Sequence, residues 1–213
     1  ITDDEAIREA SKQEIIRRSF DTECDYKKGL SDEETRDHMR LIMEELELKQ
    51  EDRAPVKPAR AYAERLMKRT VDNEIPAVIA FELNDGRIIT GRTSDLMDAC
   101  SSAILNAIKA LANISDDILL LSPVILEPIK KLKSDGLHKR IPTLTANEIL
   151  IALSISAVTN PTAQLAYDKL SELKDVQAHS TVILNKDDDQ ILRNLGLDIT
   201  CDPVYPSENL YYV

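Results

Sequence analysis

Over residues 3–26 the apolar side chains recur at helical spacing, with Ile7, Ala10, Ile15 and Phe20 broadly on one side. Acids fill the first turn, where the helix dipole favours them. Gly29 stops this helix, and Ser31-Asp32-Glu33-Glu34 has the spacing of a capping box. It predicts a second helix from about Asp32 to Leu48 with Met39, Ile42, Met43 and Leu46 inward. After a break at Asp52 to Pro58, a third helix over Ala59 to Arg69 carries Tyr62, Leu66 and Met67 on its apolar side, and Pro76 ends the connector Val71 to Ile75. Residues 1–75 are therefore expected to be all-helical.

The pattern then changes. Ala77 to Leu83 and Arg87 to Thr90 are rich in branched and aromatic residues, and Asn84-Asp85-Gly86 between them supplies a tight hairpin turn. Gly91 releases the chain into a helix capped by Thr93, Ser94 or Asp95, whose stripe is Leu96, Cys100, Ala103, Leu105 and Ile108. Ile118 to Leu121 is a short continuous apolar run, the mark of a strand buried on both faces. Ser122-Pro123 opens a helix through Lys133 by supplying a cap and a proline at the first helical position. A loop holding Gly136 and Pro142 leads to a second capping box, Thr145 to Glu148. The following helix, Ile149 to Val158, is apolar nearly all round and is expected to be central. Asn160-Pro161 starts another helix through Leu173. Val176 to Leu184 reads as a buried strand, Asp187 to Asn194 as a helix closed by Gly196, and Leu197 to Thr200 as a last strand.

Strands separated by helices imply parallel crossovers. The expected class is α/β: an N-terminal helical region, residues 1–75, then a mixed, mostly parallel sheet sandwiched by helices, residues 76–213, whose first pair is antiparallel. The tail from Val204 to Val213 carries Tyr205, Tyr211 and Tyr212 and is expected to dock on a neighbouring surface.

Composition narrows the function classes. The 213 residues include 27 basic and 38 acidic side chains, a formal net charge of -11, with an acidic excess in both regions. That balance argues against a non-specific grip on nucleic acid or on anionic lipid. Cys24, Cys100 and Cys201 are scattered and odd in number, as reduced cytoplasmic thiols would be. The longest apolar run is too short to span a bilayer, and no signal peptide opens the chain, which makes it a soluble cytoplasmic protein on this reading. No residue set has metal-ligand spacing, and no cofactor is indicated. The chain begins at Ile1 rather than Met and is expected to be a piece of something longer.

Ligands of open α/β sheets sit beyond the carboxyl ends of strands, which directs attention to the corner after the second strand. There Arg92 offers a planar donor fork, and Thr93 and Ser94 sit at an expected helix start, a combination suited to phosphate or carboxylate; Ser122 occupies a second such corner. The competing reading makes Thr93 and Ser94 caps and Arg92 a surface charge. His179 and Ser180 form a weaker candidate: a histidine beside hydroxyls suits acid/base work, but its expected place near the amino end of its strand favours a structural role. Asn160 and Thr162 are helix punctuation first and a binding loop second. Cys100 lies on an apolar stripe and is read as core.

The phrases SKQEIIRRSF, TGRTSDLMDA, LLSPVILEPI, EILIALSISAVTNPTAQLA, QAHSTVIL and NLGLDITCDPVY resemble, in the same order, the C-terminal part of the uncharacterised protein family 0371, also called domain-of-unknown-function family 1846. The resemblance covers essentially the whole chain. It implies a longer protein whose preceding part carries a glycine-rich stretch like a phosphate-binding loop, and it implies no particular reaction. The element order also resembles the cytidine-deaminase-like fold. Its zinc chemistry is missing: Cys100-Ser101-Ser102 and Pro123-Val124-Ile125-Leu126-Glu127 stand where ligands would be wanted. Two functions are compatible with these readings. One is an accessory part of an enzyme acting on a small anionic metabolite; the other is an interaction module that holds a homo-oligomer together.

Overall fold

The computed structural model describes residues 4–68, 76–138 and 143–206. The connector at residues 71–75, Pro142, Tyr211 and Tyr212 lie outside them.

Three helices open the chain, α1 (Asp4–Lys28), α2 (Glu33–Glu45) and α3 (Val56–Met67), with a 3₁₀ turn at Gln50–Asp52 before α3. Asp32 caps α2 by accepting from the Thr35 amide at 2.8 Å. Ile16 and Phe20 of α1, Met43 of α2 and Val56 of α3 form one buried cluster. Ile7 and Leu46, expected on inward faces, are instead exposed, because each lies beyond the stretch where α1 and α2 meet their neighbours.

The hairpin is β1 (Val78–Glu82) and β2 (Ile88–Arg92), turned at Gly86, whose φ of 81° is the positive angle such a turn needs. Helix α4 (Ala99–Leu111) follows, then α5 (Pro123–Lys131), α6 (Ala146–Ala157), α7 (Pro161–Tyr167), β3 (Gln177–Ser180), α8 (Lys186–Asn194) and β4 (Asp198–Cys201). The sheet order is β2-β1-β3-β4. β1 pairs antiparallel with both β2 and β3, with Ile79 opposite Gly91 on one side and Ser180 on the other. Only β3 and β4 pair in parallel. The sheet is therefore mixed, as expected, but its pairings are mainly antiparallel, because β1 takes the middle and runs against both its neighbours.

Alternation along β1 divides the core. Val78 and Ala80 meet Ala59 and Ala63 of α3. Ile79, Phe81 and Leu83 join the main cluster, which contains Ala103, Ile104 and Ile108 of α4, Ile149 and Leu153 of α6, and Leu192 of α8. Helices thus cover both faces, and α1 to α3 form one of the covering layers.

Four expectations are corrected. Ile118 to Leu121 is not a strand: Leu120 and Leu121 are buried but Ile118 and Leu119 face outward, and the segment runs as turns beside α4. With that strand gone, the element order departs from the cytidine-deaminase-like layout. Helix α4 begins three to five residues later than the cap candidates Thr93, Ser94 and Asp95 imply, because Asp98 accepts from the Ser101 amide at 2.7 Å and wins the cap. α6 is not central, since Ile151, Ile155 and Val158 are exposed while Ile149, Ala152 and Leu153 are buried. His179 lies toward the carboxyl end of β3, because the strand ends at Ser180, whose Oγ donates to the Val182 carbonyl at 2.7 Å.

Candidate functional site

The corner after β2 depends on how closely β2 approaches α4. Gly91 of β2 has no side chain to hold the helix away: a Cβ there would lie 2.1 Å from the Ala103 amide nitrogen and 2.5 Å from its Cα. The space that Gly91 leaves is thus filled by α4. The close contact sets one wall of a groove of about 560 Å³, made by Thr90, Gly91, Arg92, Ser102, Leu105, Asn106 and Lys109. The opposite wall is the turn-rich segment Ile118 to Leu121 with Pro123, Leu126 and Glu127. Leu96 and Met97 from the loop before α4 and Tyr62 from α3 complete it.

Within the groove the polar groups are few. Asn106 donates to the Thr90 carbonyl at 2.9 Å, tying α4 to β2. Lys109 donates to the Asp116 carbonyl at 2.9 Å, tying α4 to the far wall. Arg92 is exposed and makes no ion pair among the described residues; its Nη1 approaches only the Thr93 carbonyl, at 3.4 Å.

Of the residues singled out from the sequence, Arg92 and Ser94 both line this groove. Thr93 is exposed, and Leu121 and Pro123 line the groove on either side of Ser122. The backbone amides are not available as anion donors, however. The Thr93 amide donates to the Ala77 carbonyl and the Ser94 amide to the Met97 carbonyl, at 3.2 and 2.9 Å. Ser94 Oγ in turn accepts from the Met97 amide at 3.2 Å, so Ser94 closes a turn ahead of the helix. Ser122 caps α5 by accepting from the Val124 amide at 3.3 Å. Asn106, Lys109, Asp116 and Glu127 were missed in the sequence. Asn106 and Lys109 stand three apart on α4, and that spacing was the only signal available.

The remaining candidates lie elsewhere. Asn160 caps α7 by accepting from the Thr162 and Ala163 amides at 3.0 and 3.3 Å. His179 and Ser180 of β3 are fully buried on opposite faces of the sheet: His179 stands beside Ala80 on the α1 and α3 side, whereas Ser180 stands beside Ile79 on the side of the main cluster. His179 Nδ1 is 3.0 Å from Thr200 Oγ1, and its ring packs on Phe20 with centroids 4.9 Å apart. Its Nε2 faces Asp202 Oδ1 at 3.4 Å. Burial pulls the imidazole below its ordinary pKa despite Asp202, which holds it neutral and suits a structural role. Asp202 is also gripped by Arg60, at 2.6 Å from Nη2, and Arg60 pairs with Glu51. Burial works to raise the Asp202 carboxyl, but His179 and Arg60 prevail and keep it below the ordinary carboxylate range. Beside them Arg53, wholly buried, reaches Asp198 Oδ2 at 3.0 Å. These residues form a polar seam that fastens the 50–60 segment to β4.

A second, smaller cavity of about 320 Å³ lies between α1 and α8, lined by Asp21, Lys28, Lys186, Asp189 and Arg193 with both Cys24 and Cys201. The Cys24 thiol donates to the Cys201 carbonyl at 3.2 Å. Burial pushes both thiols up to about 12, and Cys100 is raised for the same reason. None is a thiolate at neutral pH, so none has the character of a nucleophile. Among the described residues no group of three His, Cys, Asp or Glu side chains is arranged to hold a metal. No helix among them is long and apolar enough to cross a membrane.

The fold and the groove define an α/β protein with a four-stranded mixed sheet layered by helices and a concave corner beyond β2. Comparison with known proteins gives the family. Residues 51–211 match the domain of unknown function DUF1846, C-terminal, and residues 1–47 match its N-terminal counterpart, so the chain belongs to this family. It is 59% identical over 212 residues to a UPF0371 protein of Clostridium botulinum. The identity is 58% to UPF0371 proteins of Clostridium tetani and Clostridioides difficile. All three matches cover 100% of this chain, which spans 42% of the length of each relative. The family read from SKQEIIRRSF and its companion phrases is the one found, and the junction between the two family models falls just before the 3₁₀ turn that leads into α3.

Proposed function

We propose that this chain is the C-terminal part of a longer intracellular protein, and that its groove binds a small molecule with an anionic end and an apolar body. The observation that carries this reading is Arg92: a guanidinium with no carboxylate partner among the described residues, set on the wall of a groove of about 560 Å³. Its planar fork matches phosphate or carboxylate, and such pairs are strong where water is partly excluded. Ser94 and Asn106 add polar edges, and Leu96, Met97, Leu105, Leu120 and Leu126 supply the apolar lining. A concave, mainly apolar site with a few directed polar groups is the usual form of a small-molecule site. The rest of the longer protein would supply the reacting groups. That the chain spans 42% of its relatives is consistent with this division.

The test is thermal unfolding of the full-length protein in rising inorganic phosphate. At ten times its dissociation constant a ligand adds about 1.4 kcal/mol, a rise of roughly 1–2 °C for a protein of the relatives' length. Arg92→Ala is expected to remove that rise while leaving the unliganded melting temperature nearly unchanged, since the side chain is exposed and makes no ion pair among the described residues. Equal stabilisation of wild type and variant refutes the reading.

A further inference from the structure

Strand β2 is an edge of the sheet, and Thr90, Gly91 and Arg92 of that edge line the groove. The hydrogen-bond phase of the hairpin fixes which of its backbone groups look outward. The Leu83 amide donates to the Arg87 carbonyl and the Thr93 amide to the Ala77 carbonyl. Odd-numbered residues of β2 therefore exchange bonds with β1, while Ile88, Thr90 and Arg92 turn their amides and carbonyls to the free edge. Asn106 of α4 donates to the Thr90 carbonyl at 2.9 Å, as the amide of a neighbouring strand would. The Thr90 amide and both backbone groups of Arg92 have no hydrogen-bond partner among the described residues, so the Arg92 end of the edge is open.

Two features of the groove indicate what pairs there. Its far wall, Ile118 to Leu121, faces β2 without pairing with it, which leaves a channel with backbone groups on one side and apolar side chains on the other. An extended peptide meets both sides at once, through its main chain and its alternate side chains. The second feature is charge. Arg92 ends β2 and carries a guanidinium with no ion pair among the described residues, which complements a carboxylate at that end of the channel. A carboxyl terminus placed there makes the peptide run parallel to β2.

We propose that the groove takes the free carboxyl end of a separate polypeptide, which adds to β2 as a short parallel strand. The amide of its last residue donates to the Arg92 carbonyl, the Arg92 amide donates to the carbonyl two residues earlier, and the terminal carboxylate meets the Arg92 guanidinium. The inference rests on the reading of the groove as a site for an anionic end and an apolar body, and it narrows that class to a peptide.

Calorimetric titration of the full-length protein tests it with an acetylated tetrapeptide of valine, leucine, threonine and leucine, which spans about 13 Å when extended. The free acid is expected to bind, and its carboxyl-terminal amide at least about tenfold more weakly. Two analogues N-methylated at alternate residues, in opposite phase, are expected to differ by about tenfold or more, because only one set of peptide amides faces β2. Decanoate, an acid of comparable length without amides, is expected to bind about tenfold more weakly than the peptide. Decanoate binding as tightly as the peptide, or no difference between the N-methylated pair, overturns the peptide inference and leaves the groove reading standing. Failure of the peptide, decanoate and phosphate alike overturns both. Hydrogen exchange over residues 88–93, followed by mass spectrometry, identifies the source of the strand. The amides of Ile88, Thr90 and Arg92 are expected to exchange quickly in the free protein and to slow when the peptide is added. Protection of all three without peptide would mean that another segment of the same polypeptide holds the edge, and would overturn the proposal.

Discussion

Gly91→Ala is the sharpest test of how the groove is built. Gly91 has an ordinary backbone angle, so nothing in its conformation calls for glycine; what calls for it is space. A Cβ at this position would stand 2.1 Å from the Ala103 nitrogen, 2.5 Å from its Cα and 2.7 Å from the Ser102 carbonyl carbon. Favourable carbon contacts lie near 3.5–4 Å, and the obstacle is helix backbone, which no rotamer change removes. Strand β2 and α4 must therefore move apart by about an ångström or more, on the argument from contact distances. That opens the packing of Ala103, Ile104, Ala107 and Ile108, all fully buried. Overpacking of this kind costs about 3 kcal/mol, or roughly 6–12 °C in melting temperature. Gly86→Ala is the control. Gly86 has a φ of 81° and nothing within 4 Å, so its cost is the left-handed conformation alone, about 1–2 kcal/mol. Urea unfolding monitored by circular dichroism measures both. A backbone-angle argument ranks Gly86→Ala as the worse change; the packing argument ranks Gly91→Ala as worse. If Gly91→Ala is as stable as Gly86→Ala, the close approach of β2 and α4 is wrong, and so is the wall of the groove.

Two further outcomes follow from buried charge and from the ligand sets. Asp188 is buried in the first turn of α8, and burial, with help from the charge of Asp98, raises its pKa to about 6. A carboxyl with a raised folded pKa favours folding in its protonated form, so its contribution is fully present below about pH 4, the unfolded value, and is lost as pH rises through 6. Asp188→Asn, which keeps the shape without the charge, is expected to gain at most about 3 kcal/mol over wild type at pH 7.5 and to lose that advantage near pH 4. Melting curves of the two proteins from pH 4 to 8 check this, and parallel curves would show that Asp188 ionises without cost. EDTA is expected to leave the melting temperature of this 213-residue chain unchanged, because no triplet of ligands is assembled among the described residues. A fall of several degrees would reveal a structural metal.

Sequence alone went far wherever the signal was local. The hairpin at Asn84-Asp85-Gly86, the proline-led starts of α5 and α7, and the reciprocal cap at Thr145 and Glu148 each depend on a few adjacent residues competing for backbone hydrogen bonds. All were legible, as in the Thr145 amide donating to Glu148 at 2.8 Å. The cap of α4 was missed because Thr93, Ser94, Asp95 and Asp98 all have capping chemistry. The choice among them is made by the Leu96–Leu144 and Asp98–Leu144 backbone bonds, which join segments far apart in sequence. Arg92 and Ser94 were legible as a polar corner, but the apolar wall opposite them was not: Ile118 to Leu121 has the composition of a buried strand, yet it does not pair with the edge strand β2 and faces it across the groove instead.

What the sequence determined, then, was most of the helices, the hairpin and the family, because each rests on short-range hydrogen bonding or on identity of residues. Tertiary structure decided the rest. It placed β1 against two antiparallel neighbours, moved His179 from a candidate acid/base into a buried seam with Thr200 and Asp202, and turned the apolar α6 outward along Ile151, Ile155 and Val158. An apolar side chain carries no record of which surface it will meet. Only the competition among all such surfaces for a core of limited size determines which faces are buried and which are left exposed.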